Sequence, residues 1–401
     1  MKSDPQFLRL ALQLARRGHG VTSPNPMVGV VLVKGGRIVG RGWHRRAGLP
    51  HAEIEALSDA KRHGHNPRGA TLYVTLEPCS THGRTPPCTD ALIAAGIKHV
   101  AVGAIDPNPK HSGRAFKILK RAGIRADWWG ERPREPKNSS KYGSSVVSPR
   151  RILAAECARL NEAFNHWVVH RTPFVTVKAA MTLDGKIATA DGESKWITGE
   201  KARACAMRLR RGVDAILVGV NTVLADDPSL TVRVKTANGK WQMTKPVRRI
   251  IVDSMARTPL NAEVVSDEFA TSTTIVASKH APRNRVAALA KRVNVVFAPL
   301  AKSATGNRQR AIDLSWLLKK LGSENITSLL VEGGGEVNGS FLLGGLAQRV
   351  AFFYAPQILG GRDARKAVAG EGTKSLTGSL QLQEVEWKRL GPDLMLSARV
   401  A

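Results

Sequence analysis

Apolar residues recur at helical spacing from Phe7 to Arg17 and stop at Gly18 and Gly20, which predicts an amphipathic helix with a glycine end. Two apolar runs, Val28 to Val33 and Ile38 to Gly42, flank Lys34-Gly35-Gly36-Arg37 and predict a hairpin. The pattern then alternates: helix His51 to Ala60, strand Thr71 to Leu76, a helix near Thr89 to Ala95, strand His99 to Val102 and helix Ala115 to Ala122. Strands and helices in alternation predict a three-layer α/β domain.

Residues 131–151 break this pattern. They are rich in Pro, Ser and charge and poor in apolar residues, and they read as a loop insertion. A helix from Leu153 to Phe164 closes the first domain, placed at 1–170. The second, 171–401, opens on a strand from Pro173 to Lys178, followed by helix Glu200 to Arg211 and strand Val213 to Val220. Later strands are expected at Arg249 to Asp253, Thr274 to Ala277, Val293 to Phe297, Ser328 to Val331 and Val350 to Tyr354. Two more lie between Leu380 and Val400. This is again α/β, with a mostly parallel sheet and an antiparallel end.

Length and composition narrow the class. The 401 residues suit two domains, and 42% apolar content can build two cores. No run is long and apolar enough for a membrane span, and the N-terminal pattern is that of a helix rather than a signal peptide. Four cysteines do not suggest a disulfide framework, so a reducing cytoplasm is expected. The formal charge of +29 is spread over many short Lys/Arg clusters with few aromatics. A solvated basic surface accounts for that spread better than a nucleic-acid or membrane face does.

The densest chemistry is His51-Ala52-Glu53 with Pro78-Cys79 and Cys88. One imidazole and two thiolates are a ligand set for Zn²⁺ that leaves a fourth position for water. Glu53 is not needed as a ligand and is free to carry protons. The set matches zinc deaminases of nucleobases, except that those acting on nucleic acids usually keep two residues between the cysteines. Here eight intervene.

Glu77 to Cys88, with Gly83-Arg84-Thr85-Pro86-Pro87-Cys88, resembles the deaminase signature of the bifunctional deaminase/reductases of riboflavin biosynthesis. The stretch Thr22 to Gly29 is similar to that family's N-terminal substrate loop. Three further segments, Ala180 to Ala188, Ser194 to Thr198 and Asn221 to Arg233, resemble its reductase half, which is similar in fold to dihydrofolate reductase. Val331 to Asn338 adds a glycine-rich turn between a strand and a helix. Such a turn lets backbone N–H groups approach a phosphate.

The resemblance implies an N-terminal cytidine-deaminase-like domain and a C-terminal dihydrofolate-reductase-like domain. It assigns zinc to His51, Cys79 and Cys88 and the proton shuttle to Glu53. Asn25, His44 and Arg84 fall on positions that hold the substrate, with Arg84 where the family often has Lys. In the reductase half, Ser194, Arg210, Leu230, Arg233 and Glu332 fall on substrate positions. Arg210 and Arg233 suit phosphate, because guanidinium is a bidentate donor. Lys178, Ala180, Trp196, Thr222, Asp226, Ser254 and the loop Gly334, Gly335, Glu336, Val337, Asn338, Gly339 and Ser340 fall on NADPH positions. The implied reactions are hydrolytic deamination of a phosphoribosylated diaminopyrimidinone and NADPH reduction of its ribosyl chain. The expected partners are that phosphorylated small molecule and a possible second copy, with neither nucleic acid nor membrane. The rival reading, a nucleic-acid-editing protein, draws on the zinc motif and the charge. The cysteine spacing and the second half argue against it.

Overall fold

A computed structural model describes residues 4–82, 86–130, 148–235, 241–301 and 311–401. It divides into two compact units, up to Arg171 and from Thr172 onward. Most of the predicted insertion, residues 131–147, lies outside the described residues.

The first unit is built on five strands in the order Arg37–Trp43, Gly29–Lys34, Thr71–Leu76, His99–Ala104 and Arg125–Trp128. The hairpin pairs are antiparallel and the last three strands run parallel. Central strands such as His99–Ala104 are buried throughout, because helices cover both faces of the sheet. One face packs Leu8, Leu12, Tyr73, Trp129, Leu153 and Cys157. The other packs Ala52, Ala56, Leu72, Leu92 and Leu119. The helix Ala52–Arg62 sits very close to the hairpin: a Cβ on Gly42 would meet the Ala52 carbonyl oxygen at 2.3 Å. This contact requires glycine and seats the helix start that carries the candidate chemistry.

Two expectations change here. Helix Leu153 to Phe164 is really two helices, Pro149–Leu160 and Glu162–His170, divided at Asn161. The cause is visible: the Asn161 side chain accepts from Met27 N and donates to Met27 O, at 2.8 and 2.9 Å. The first helix also starts inside the predicted loop, with Ser148 as its N-cap and Pro149 at its first position.

The second unit is built on a nine-stranded sheet in the order Asn294–Ala298, Thr273–Ser278, Arg248–Val252, Ala215–Gly219, Ser328–Val331, Phe174–Thr182, Arg349–Ala355, Asp393–Val400 and Leu382–Leu390. The first seven run parallel and the last two add antiparallel pairs, as the sequence predicts. Val175, Leu217, Leu317 and Phe341 fill one face, and Ile216, Val218, Val264 and Leu289 fill the other. The last strand is an exposed edge, interrupted by a register shift between Gln383 and Glu386. Such irregularities discourage edge-to-edge pairing. Among the described residues no helix is long and apolar enough to cross a membrane.

Candidate functional sites

His51 precedes the helix Ala52–Arg62, Cys79 lies just past the strand Thr71–Leu76, and Cys88 opens the helix Cys88–Ala94. The fold brings these three side chains together. Each Sγ is 3.4 Å from His51 Nδ1, and the three ligand atoms lie within 4.8 Å of one another. Zinc–sulfur and zinc–nitrogen bonds of about 2.3 and 2.0 Å give tetrahedral edges of this size, so the donor set fits Zn²⁺.

Without a metal, the two thiols share one proton between them. The hydrogen bond from Cys88 holds the Cys79 thiol well below its ordinary range, at about 4, against the effect of burial, with His51 helping. The backbone N–H of Cys88 also donates to Cys79 Sγ at 3.2 Å. Cys88 is pushed up in turn, because its thiol donates to Cys79 and is itself buried. Glu53, in the first turn of its helix, is 3% exposed. Burial first, then the Cys79 charge, raises its carboxyl to about 7. A carboxyl poised there both accepts and releases protons near neutral pH.

Asn25 and His44 sit next to this cluster. His44 is stacked edge-on to His51 with ring centroids 5.5 Å apart. Its Nδ1 lies 3.1 Å from the Pro50 carbonyl and its Nε2 lies 3.1 Å from Asn25 Nδ2. Donation to Pro50 leaves Nε2 as the acceptor for Asn25, which fixes the amide orientation. Burial lowers the His44 pKa and favours that neutral ring. Arg84 lies outside the described residues.

Sequence reasoning missed the role of Glu77. This carboxylate is 5% exposed and accepts from the backbone N–H of Asp106, Gly113 and Ala115 at 3.0–3.2 Å. It ties the loop after strand His99–Ala104 to the residues leading into Cys79. The motif alone marked Glu77 without saying which backbone it would hold.

The second unit carries a cleft of about 480 Å³ that runs into a neighbouring lobe of about 410 Å³. The two share Ile187, Ser194, Thr222, Asp226 and Gly334. Ser194, Arg210, Leu230, Arg233 and Glu332 all line the first lobe, together with Lys178, Ala180 and Trp196. Gly335, Glu336 and Val337 line the second. Ser254 and Ser340 line a smaller space of about 150 Å³ that also touches Val337.

Two residues of the expected cofactor loop line none of these spaces. Asn338 is fully buried and donates its amide to Ala367 O at 2.8 Å. Gly339 is pressed against the Ala369 carbonyl. The glycine-rich turn has negative φ, so its glycines serve closeness rather than a left-handed turn: a Cβ on Gly335 would meet Lys366 O at 2.3 Å.

Arg210 and Glu332 form a largely buried bidentate pair in the cleft wall, with Arg210 Nη2 donating to Glu332 Oε2 at 2.6 Å. Arg210 Nε also donates to that carboxylate, and Nη1 donates to Thr231 O. Burial by itself would raise the Glu332 carboxyl, but the charges of Arg210 and Lys178 outweigh it and hold it at about 2. Arg210 thus lines the cleft with its guanidinium engaged by Glu332 and the Thr231 carbonyl. Asp226 accepts from Ser194 Oγ at 2.7 Å, and Lys195 Nζ donates to Asp226 O. Trp196 is 74% exposed with the Arg203 guanidinium stacked on it, 4.8 Å from the ring centroid.

Comparison with known proteins matches a family to each unit. Residues 1–104 match the family model for the cytidine and deoxycytidylate deaminase zinc-binding region, and residues 173–396 match that for the RibD C-terminal domain. The chain is 40% identical to the riboflavin biosynthesis protein RibD of Actinobacillus pleuropneumoniae, over 98% of this chain and 94% of that protein. It is 41% identical to RibD of Aquifex aeolicus, over 98% and 97%. Among solved structures it is similar to Acinetobacter baumannii RibD, with a TM-score of 0.78 and 31% identity over 99% and 98% of the two chains. It is also similar to a diaminohydroxyphosphoribosylaminopyrimidine deaminase/5-amino-6-(5-phosphoribosylamino)uracil reductase from Thermotoga maritima, with a TM-score of 0.77 and 33% identity over 99% and 98%. The zinc-ligand cluster, the two-lobed cleft and likeness over nearly the whole length converge: the chain belongs to the RibD family of riboflavin biosynthesis proteins, with a deaminase unit and a reductase unit on one polypeptide.

Proposed function

We propose that the first unit deaminates 2,5-diamino-6-(5-phosphoribosylamino)pyrimidin-4-one and that the second reduces the ribosyl chain of the product to ribityl. The observation that carries this reading is the meeting of His51, Cys79 and Cys88 within 4.8 Å beside a Glu53 that is 3% exposed. His51, Cys79 and Cys88 would hold Zn²⁺, whose Lewis acidity makes water a nucleophile near neutral pH. Glu53 takes the proton from the attacking water and passes it to the pyrimidine ring nitrogen and the departing amine. His44 orients the Asn25 amide toward the ring, and Arg84 is the candidate for the phosphate.

In the second unit Ser194, Leu230, Arg233 and Glu332 form the pyrimidine side. Arg233 is the exposed guanidinium of that group and the better phosphate donor, while Arg210 holds the Glu332 carboxylate in place. Lys178, Ala180, Trp196, Thr222, Asp226 and the Gly334–Val337 turn form the cofactor side, with Ser254 and Ser340 at its far end. NADPH bound there supplies the hydride, and the protein's task is to position it. We assign the enzyme to the cytoplasm, since Cys79 and Cys88 must stay reduced. Self-association with a second copy is the further partner we expect, and sedimentation would test it.

The deciding experiment follows ammonia release and NADPH oxidation together on zinc-loaded protein given the diaminopyrimidinone. Both signals are expected, with NADPH loss waiting on ammonia. Ammonia without NADPH loss would remove the second activity, and neither signal would remove both.

A further inference from the structure

Arg249, the second residue of strand Arg248–Val252, is 1% exposed and lies outside the cleft lining. A guanidinium has five N–H donors, and here all five are used. Nε donates to Thr273 Oγ1 at 2.8 Å, and Nη1 and Nη2 grip Asp267 Oδ2 and Oδ1 at 2.6 and 2.7 Å. Nη2 also reaches Val264 O, and Nη1 reaches the Ser229 carbonyl at 3.0 Å.

That last bond falls in the segment most in need of support. Asp227 and Leu230 have φ of +41° and +49°, left-handed backbone at non-glycine residues. Such conformations persist only where surrounding contacts over-determine them. Asp227 Oδ1 accepts from Glu263 N, so the same 263–267 stretch that grips Arg249 also pins the start of this segment. Ser229 then links core to cleft. Its carbonyl is held by Arg249, while its Oγ accepts from Arg233 Nη2 at 2.9 Å.

We propose that Arg249 is a positioning residue for the reductase reaction: from within the core it fixes Ser229, and through Ser229 and Leu230 it sets where Arg233 stands in the cleft. Lysine cannot replace it, because an ammonium offers three donors from one point instead of a planar fork. The inference rests on the reading that Ser229–Arg233 forms the pyrimidine side of the cleft.

The test uses full-length Arg249→Lys, Asp267→Asn and Arg233→Ala proteins. Reductase kinetics are measured with pyrimidine and NADPH varied separately, and ammonia release serves as the internal control. Arg249→Lys is expected to raise the pyrimidine KM about tenfold while kcat, NADPH KM and deamination stay near wild type. Asp267→Asn should act in the same direction more weakly, and it carries the test if Arg249→Lys does not fold. A purely structural role would lower the melting temperature or the active fraction and leave KM alone, and that result overturns the proposal. If Arg233→Ala raises the pyrimidine KM and neither Arg249→Lys nor Asp267→Asn does, the clamp is wrong. If Arg233→Ala leaves it unchanged and Arg249→Lys raises the NADPH KM instead, the clamp stands and the assignment of this side to the pyrimidine falls.

Discussion

The two units organise their chemistry on different scales. In the first, three ligand atoms and one carboxylate come from two helix starts and one loop, all between residues 51 and 88. In the second, the two lobes draw residues from positions 178 to 369, and no short motif contains them. A compact metal site tolerates little loss, since every member is essential. A dispersed cleft divides its binding among many contacts, so single losses there should be graded.

The largest expected effect is metal removal. Chelation, or Cys79→Ser, should abolish ammonia release and leave reduction of the deaminated pyrimidine intact, as measured by NADPH absorbance. Loss of both activities would break the comparison. Next, Glu53→Gln should retain zinc by elemental analysis and lower ammonia release by about 10²–10⁴-fold. Near-normal turnover would remove Glu53 from proton transfer.

Glu332→Gln tests the point in the second unit most like a metal site, a buried charge pair. It strands the Arg210 charge and should destabilise that unit by about 3–5 kcal/mol in denaturant titrations. The wild-type pH response follows from the depressed carboxyl, at about 2 against an ordinary 4.5. Its stabilisation is complete above pH 4.5 and is lost as pH falls toward 2, about 3 kcal/mol in all. The Gln variant should show no such term. The smallest effect belongs to Ser254→Ala, about a fivefold rise in NADPH KM from one lost hydrogen bond. An unchanged KM would place Ser254 outside the cofactor site.

The same contrast explains how much the sequence disclosed. The strand Thr71–Leu76 and helix Glu200–Arg211 were legible to the residue: the strand is an apolar-rich run buried on both faces, and the helix turns one apolar face to the core. The antiparallel end of the second sheet was legible from two late strands close in sequence. The zinc cluster was legible because its ligand types and spacing are themselves the signal. The break at Asn161 was not: its cause is a partner 134 residues away. Glu77 and Arg249 were opaque for the same reason: Glu77 holds backbone N–H groups 29 to 38 residues away, and Arg249 holds Asp267, Thr273 and two backbone carbonyls that no local spacing marks. The Arg210–Glu332 pair shows the limit from the other side: both residues were found, yet the sequence could not say that they bind each other.

Chain order and fold order part company in the first unit. Its last strand ends at Trp128, yet Leu153 and Cys157 enter its core from beyond residue 148, and Asn161 anchors the loop that carries Asn25. Residues 131–147 therefore look like the natural place to divide the gene and are the wrong one. A cut there would hand the deaminase's own closing helices to the reductase polypeptide. Separating the two activities onto two proteins calls for a cut at Arg171–Thr172, where the first unit has received all the chain it uses.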